Sequence, residues 1–159
     1  MTRAETILDA VIAVLQTVDG TGSYTYDLSG DDGVHEGTPG EADVHPPCVW
    51  LDHDVTTDDD QLLTVDQATL TIVLRGFAPT ATSPAGVKAR ARTRLFSDCE
   101  RALTASFAPG GTLADLAYIT SLKVRKASVS GSGLDLAPDC GAFTAVITIT
   151  YPAAHGAGV

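Results

Sequence analysis

Lysine and arginine are absent from the chain between Ala4 and Leu74. The same stretch holds 15 of the 20 carboxylates, so the first 74 residues carry a net charge of −14 and the remaining 85 carry +4. A general nucleic-acid-binding surface is excluded in this half, because binding to phosphates needs clustered Lys and Arg. A lysine-containing phosphate loop is excluded there too. Charge asymmetry of this size favours a protein whose copies meet in a fixed orientation over one with an enzyme pocket.

Disulfide frameworks, long hydrophobic runs and export signals are also not expected from the sequence. The three cysteines, Cys48, Cys99 and Cys140, are odd in number and widely spaced, which indicates free thiols in a reducing cytoplasm. No segment approaches the roughly 20 apolar residues of a membrane span. With 159 residues, of which 44% are hydrophobic, we expect one globular domain over residues 1–159 and no membrane partner.

Two amphipathic helices are predicted. Thr2 and Glu5 form the ends of a capping box, and apolar residues then recur at helical spacing, so the first helix is expected over residues 3–18 with Gly20 as its stop. Ser83 and Pro84 predict the start of a second helix that runs to about residue 106.

Between and after the helices, alternating apolar residues predict strands. These strands are expected at residues 24–28, 48–56, 67–77, 118–129 and 143–151. Asp58, Asp59 and Asp60 are expected at the exposed tip of a long hairpin. Residues 30–47 are rich in Gly, Pro and carboxylates and are expected to be a flexible acidic loop, and residues 152–159 a frayed tail. The order of elements predicts an α+β fold, in which both helices pack on one face of a mostly antiparallel or mixed sheet.

Motifs for catalysis, cofactors and metals are not found. Asp52, His53 and Asp54 lie near Trp50 and leave open a small ligand-binding or hydrolytic site, but no nucleophile motif accompanies them. The aspartates at the hairpin tip lack the order of a calcium loop, which leaves a solvated loop or weak cation binding. We therefore expect no catalytic residue, no cofactor and no metal site.

Half of the basic residues lie within residues 88–101, on the second predicted helix. They are Lys88, Arg90, Arg92, Arg94 and Arg101. Arg90, Arg94 and Arg101 project away from the apolar side, whereas Lys88 and Arg92 project close to it, so that the first turns are expected to overhang the core. Three interpretations are open: a solvated helix face, contact with nucleic acid, or contact with the acidic half of a neighbouring copy. The placement of Lys88 and Arg92 favours the last one.

Several segments together resemble the tail terminator (tail completion) proteins of long-tailed bacteriophages. The resemblance rests on the amphipathic first helix, on residues 47–50 (PCVW), on residues 70–77 followed by residues 91–103 (ARTRLFSDCERAL), and on the last strand, residues 141–151. These are patterns of residue class and cover most of the chain.

The resemblance implies a structural virion protein, made in the bacterial host cytoplasm. Copies of such a protein form a ring, usually of six, that caps the tail tube, ends its polymerisation and joins the tail to the head connector. The implied partners are further copies of the chain, the tail tube protein and the connector or stopper protein, and DNA passes through an acidic lumen without specific binding. A head–tail connector or stopper ring is the alternative within the same class.

Overall fold

A computed structural model describes residues 2–40, 43–58, 66–80, 85–127 and 140–153. Within these residues, two helices and five strands follow one another. They are α1 (Arg3–Leu15), β1 (Val34–Glu36), β2 (Cys48–Asp58), β3 (Asp66–Pro79), α2 (Ala85–Phe107), β4 (Ser121–Lys126) and β5 (Cys140–Ala153). The strands form a mixed sheet in the order β1-β2-β3-β5-β4, in which only β1 and β2 are parallel. Within the described part of the chain, no helix is long and apolar enough to cross a membrane.

Both helices pack on the same face of the sheet, which confirms the predicted α+β class. Alternate side chains of the central strands point to the helices, as the two-residue period of a strand requires. Ala68, Leu70, Ile72 and Leu74 of β3 are fully buried there. They join the apolar sides of α1 and α2 in one hydrophobic core.

The first helix begins as predicted but ends earlier. Thr2 accepts a hydrogen bond from the backbone N–H of Glu5, whose carboxylate accepts the N–H of Thr2, so the capping box is formed. The helix ends at Leu15 rather than at residue 18. Gly20 lies beyond this end with φ +70, in a turn that leads to a single bridge between Asp19 and Asp27.

The predicted strand at residues 24–28 is wrong. Apart from the bridge at Asp27, these residues join no strand, because a distant side chain binds their backbone. The carboxylate of Asp98 on α2 accepts the N–H of Thr25 at 2.8 Å and the N–H of Tyr26 at 3.0 Å. A neighbouring strand would need the same two N–H groups for its own hydrogen bonds. Because the buried carboxylate of Asp98 accepts both, no strand pairs with this segment.

The interpretation of residues 30–47 as a loop is wrong in part, since β1 lies within it. Gly33 permits this strand: a side chain at Gly33 would lie 2.2 Å from the carbonyl oxygen of Leu28. Val34 is buried, and the ring of His35 stacks on that of Trp50 with centroids 4.4 Å apart. Gly33, the burial of Val34 and the stacking of His35 on Trp50 thus place part of this acidic, Gly-rich segment at the edge of the sheet.

The last strand continues past its predicted end, through Pro152 to Ala153. The carbonyl of Thr150 accepts the N–H of Thr120 on the β4 side. The backbone groups of Pro152, two residues later, face the same side, so the N–H that proline lacks would point towards β4. No residue of β4 pairs there, so Pro152 removes no ladder bond. Its carbonyl accepts Arg3 Nη1 at 2.6 Å, which ties the start of α1 to the strand. The rest of the predicted tail, residues 154–159, lies outside the described residues.

The second face of the sheet, which we call the open face, carries neither helix. A small apolar cluster of Cys48, Phe77, Cys140 and Ala142 covers one end of it, with Val44 and Trp50 packed alongside. Elsewhere β3 and β5 contribute half-buried Thr and Val side chains to this face, together with the half-buried Arg75 of β3.

Candidate interaction surface

The basic side chains predicted as an interface divide into three groups in the structure. Arg90 and Arg94 lie one turn apart on α2, and both are exposed. Neither forms a hydrogen bond or ion pair with any described residue. Like charges four residues apart on a helix repel one another weakly. An acidic surface placed over them would relieve that repulsion.

Arg101 contacts its own chain. Its guanidinium donates a hydrogen bond to the carbonyl of Ser23, next to the backbone that Asp98 holds. Arg101, which the sequence places on the side of α2 away from the core, is therefore held by its own chain and differs in this from Arg90 and Arg94. Arg101 and Asp98 together fasten the segment around residues 23–26 to α2.

Lys88 and Arg92 lie over the sheet, so the first turns of α2 do not overhang the core. Both are half-buried, and the helix backbone at these positions approaches β5 closely. A Cβ atom at Gly141 would lie 2.3 Å from the carbonyl oxygen of Lys88 and 2.9 Å from the nitrogen of Arg92. The space where apolar side chains were expected is thus filled by backbone contact, and a neighbouring copy is not needed to explain this placement.

The acidic hairpin tip is only partly described. Asp58 is the last residue of β2 and pairs in register with Gln67 of β3, so the long antiparallel pair is confirmed. Asp59 and Asp60 lie outside the described residues.

The candidate ligand or hydrolytic site at Asp52, His53 and Asp54 is divided by the strand. Asp52 and Asp54 point to the open face, because alternate residues of β2 share a face and Trp50 lies on this one. His53 points to the helix side, where it lines an open cleft of about 500 Å³ with Glu5, Leu8, Asp9 and Glu36. The three side chains therefore do not converge. In the described part of the chain, no three metal-ligating side chains cluster.

The site residue that sequence reasoning missed is Asp98, which is only 3% exposed. It lies three residues after Leu95 and four before Ala102, and both of those are buried. A carboxylate at this spacing lies on the apolar side of a helix, and buried carboxylates need hydrogen-bond donors. This spacing was the available signal.

The buried thiols have raised pKa values. Burial raises the pKa of Cys48 to about 11 and raises that of Cys99 further. Burial also raises the pKa of the Tyr26 hydroxyl, although the nearby positive charge of Arg94 opposes the shift. Both cysteines are therefore neutral side chains at pH 7, and neither is an activated nucleophile.

The strand order converts the charge asymmetry of the sequence into a separation in space. The strands that lie wholly in the acidic first half, β1 and β2, are neighbours at one side of the sheet, and β3, which carries both Asp66 and Arg75, comes next. The strands of the second half, β5 and β4, form the other side of the sheet, where Lys123 and Arg125 are exposed. Charged surfaces of opposite sign therefore lie on different sides of one subunit.

No protein-family model matches this chain, and no curated protein sequence matches it either.

Proposed function

We propose that this protein is a structural component of a bacteriophage tail, a ring-forming terminator that caps the tail tube. The observation that carries the proposal is the separation of charge: an outward-facing basic pair, Arg90 and Arg94, on a subunit whose first half carries −14. Two different surfaces of opposite sign favour head-to-tail contact, and repeated head-to-tail contacts close into a ring when the rotation permits. The resemblance to tail terminator proteins supports a six-membered ring.

In this role the chain acts through surfaces and not through chemistry. The ring ends polymerisation of the tail tube protein and then binds the connector or stopper protein beneath the head. An acidic inner wall repels the DNA backbone, so DNA passes without binding. The protein is then located in the virion, at the neck end of the tail.

The decisive experiment reverses the basic pair. Single exposed ion pairs contribute about 0–1 kcal/mol each, but the same pair recurs at every interface of a ring. We expect Arg90→Glu with Arg94→Glu to leave a folded monomer that no longer forms rings in native mass spectrometry or caps tubes in negative-stain microscopy. The matched control, Arg90→Lys with Arg94→Lys, retains the charge and should still assemble.

Two outcomes would contradict the proposal. Normal rings from the Glu double variant would mean that Arg90 and Arg94 form a solvated helix face. A wild-type chain that binds purified head vertices but never tube ends would instead identify a connector or stopper ring.

A further inference from the structure

The open face carries a regular charge pattern that the ring contact does not use. Two rows of paired residues cross it from β2 to β4. The first row runs Asp54, Thr71, Thr148, Lys123, and the second runs Asp52, Val73, Val146, Arg125. Each row has a carboxylate at one end, a cation at the other and β-branched side chains between them.

The four charged side chains of these rows are exposed. None of them forms an ion pair with a described residue. The two ends of a row are three strand spacings apart, about 14 Å, which is too far for them to pair within one subunit. The Thr and Val side chains between them are half-buried although no helix covers them.

We propose that a second copy of this chain covers the open face, related to the first by a two-fold axis that runs along the strands between β3 and β5. This rotation exchanges the two sides of the sheet. Each row then lies over the same row of the partner, in reverse. Asp54 meets Lys123 of the partner subunit, Asp52 meets Arg125 of the partner subunit, and Val73 meets Val146 of the partner subunit.

Charge selects this arrangement over the alternative two-fold. An axis across the strands would leave the sides unexchanged and would place carboxylate against carboxylate. Sheets that pack face to face keep their strands within about 30° of one another, and the long Lys and Arg side chains span the resulting offset. Such an interface is isologous, so every charge pair occurs twice.

The size of the open face makes this contact weak. Four strands by about six residues cover a few hundred Å² per copy, well below the roughly 800 Å² per partner of a standard stable interface. We therefore expect a dimer that forms in the micromolar range or above and weakens with salt. The contact lies on the opposite layer from Arg90 and Arg94, and it does not depend on the tail role.

The test uses complementary charge reversal. In Asp52→Lys with Asp54→Lys all four positions are basic, and in Lys123→Asp with Arg125→Asp all four are acidic. We expect the self-association of each variant alone to be at least about 100-fold weaker than that of wild type, as measured by sedimentation equilibrium up to about 1 mM. Mixed together, the two should form a heterodimer, and this recovery also shows that both are folded.

Two controls separate this contact from other effects of charge. Glu100→Lys with Asp115→Lys makes the same change in net charge away from the open face and should leave the dimer constant unchanged. Arg90→Glu with Arg94→Glu should also leave it unchanged while abolishing rings, so the two proposals can fail separately. A wild-type chain without concentration-dependent dimers, or a mixture that does not form a heterodimer, would overturn the inference.

Discussion

The two faces of the sheet are formed by the same strands but differ in how deeply their side chains are buried. On the helix side, Leu70, Ile72 and Leu74 are fully buried, and even backbone atoms come into contact where α2 crosses Gly141. On the open face, the intervening Thr71 and Val73 stay half-buried with exposed charges at both sides. The helix side therefore supplies most of the stability of the fold, and the open face is available to bind a partner.

Neighbouring substitutions on β3 test this division most strongly. Ile72→Ala removes a fully buried side chain and should lower the free energy of unfolding by about 2–5 kcal/mol. Thr71→Ala, one residue away on the open face, should change it by no more than about 1 kcal/mol. Urea denaturation at low protein concentration measures both. Equal losses would mean that the open face is packed within the monomer.

The close approach of α2 to β5 is tested by Gly141→Ala. The added Cβ would lie 2.3 Å from the Lys88 carbonyl oxygen, so helix and strand must separate, at a cost of about 1–3 kcal/mol. Gly30→Ala is the matched control, because nothing lies within 4 Å of a Cβ there. If both variants have the same melting temperature, the backbone contact is looser than the structure shows.

The fastening of residues 23–26 to α2 is tested by Asp98→Asn. The neutral amide replaces a charged acceptor of two backbone N–H groups, so we expect a loss of about 1–2 kcal/mol. Hydrogen exchange at the Thr25 and Tyr26 amides should accelerate more than elsewhere. Glu100→Gln, on the exposed side of the same helix, serves as the control. Unchanged protection of those two amides would remove this role from Asp98.

The smallest effect concerns the apolar cluster at the end of the open face. The raised pKa of Cys48 means that the folded state holds its thiol proton above pH 9, where the unfolded chain loses it. The unfolded state then binds fewer protons, so stability falls as pH rises. Between pH 9 and 10 this amounts to at most about 1 kcal/mol for Cys48. Denaturation curves of wild type and Cys48→Ala should converge over this range, and parallel curves would contradict the buried thiol.

Local patterns were sufficient for most of the fold. The capping box at Thr2 and Glu5, the apolar side of α2 and the alternation in β3 each reflect neighbours in sequence, and each was predicted. Residues 24–28 and β1 were not, because their partners are distant: Asp98 is more than 70 residues from Thr25, and β1 needs Trp50 and the space above Leu28. The basic residues were found as a group, but Arg101 was not separated from Arg90 and Arg94, since only folding brings Ser23 to it.

The sequence by itself determined the charge asymmetry and the alternation that assigns each strand residue to a face. These properties depend on composition and on a two-residue period, so they need no knowledge of distant contacts. Only the tertiary structure decided that β5 lies between β3 and β4, and therefore that Asp52 and Arg125 end the same row. Strand order depends on contacts between residues far apart in the chain, and it is this order that turns an uneven charge count into two opposed charged sides.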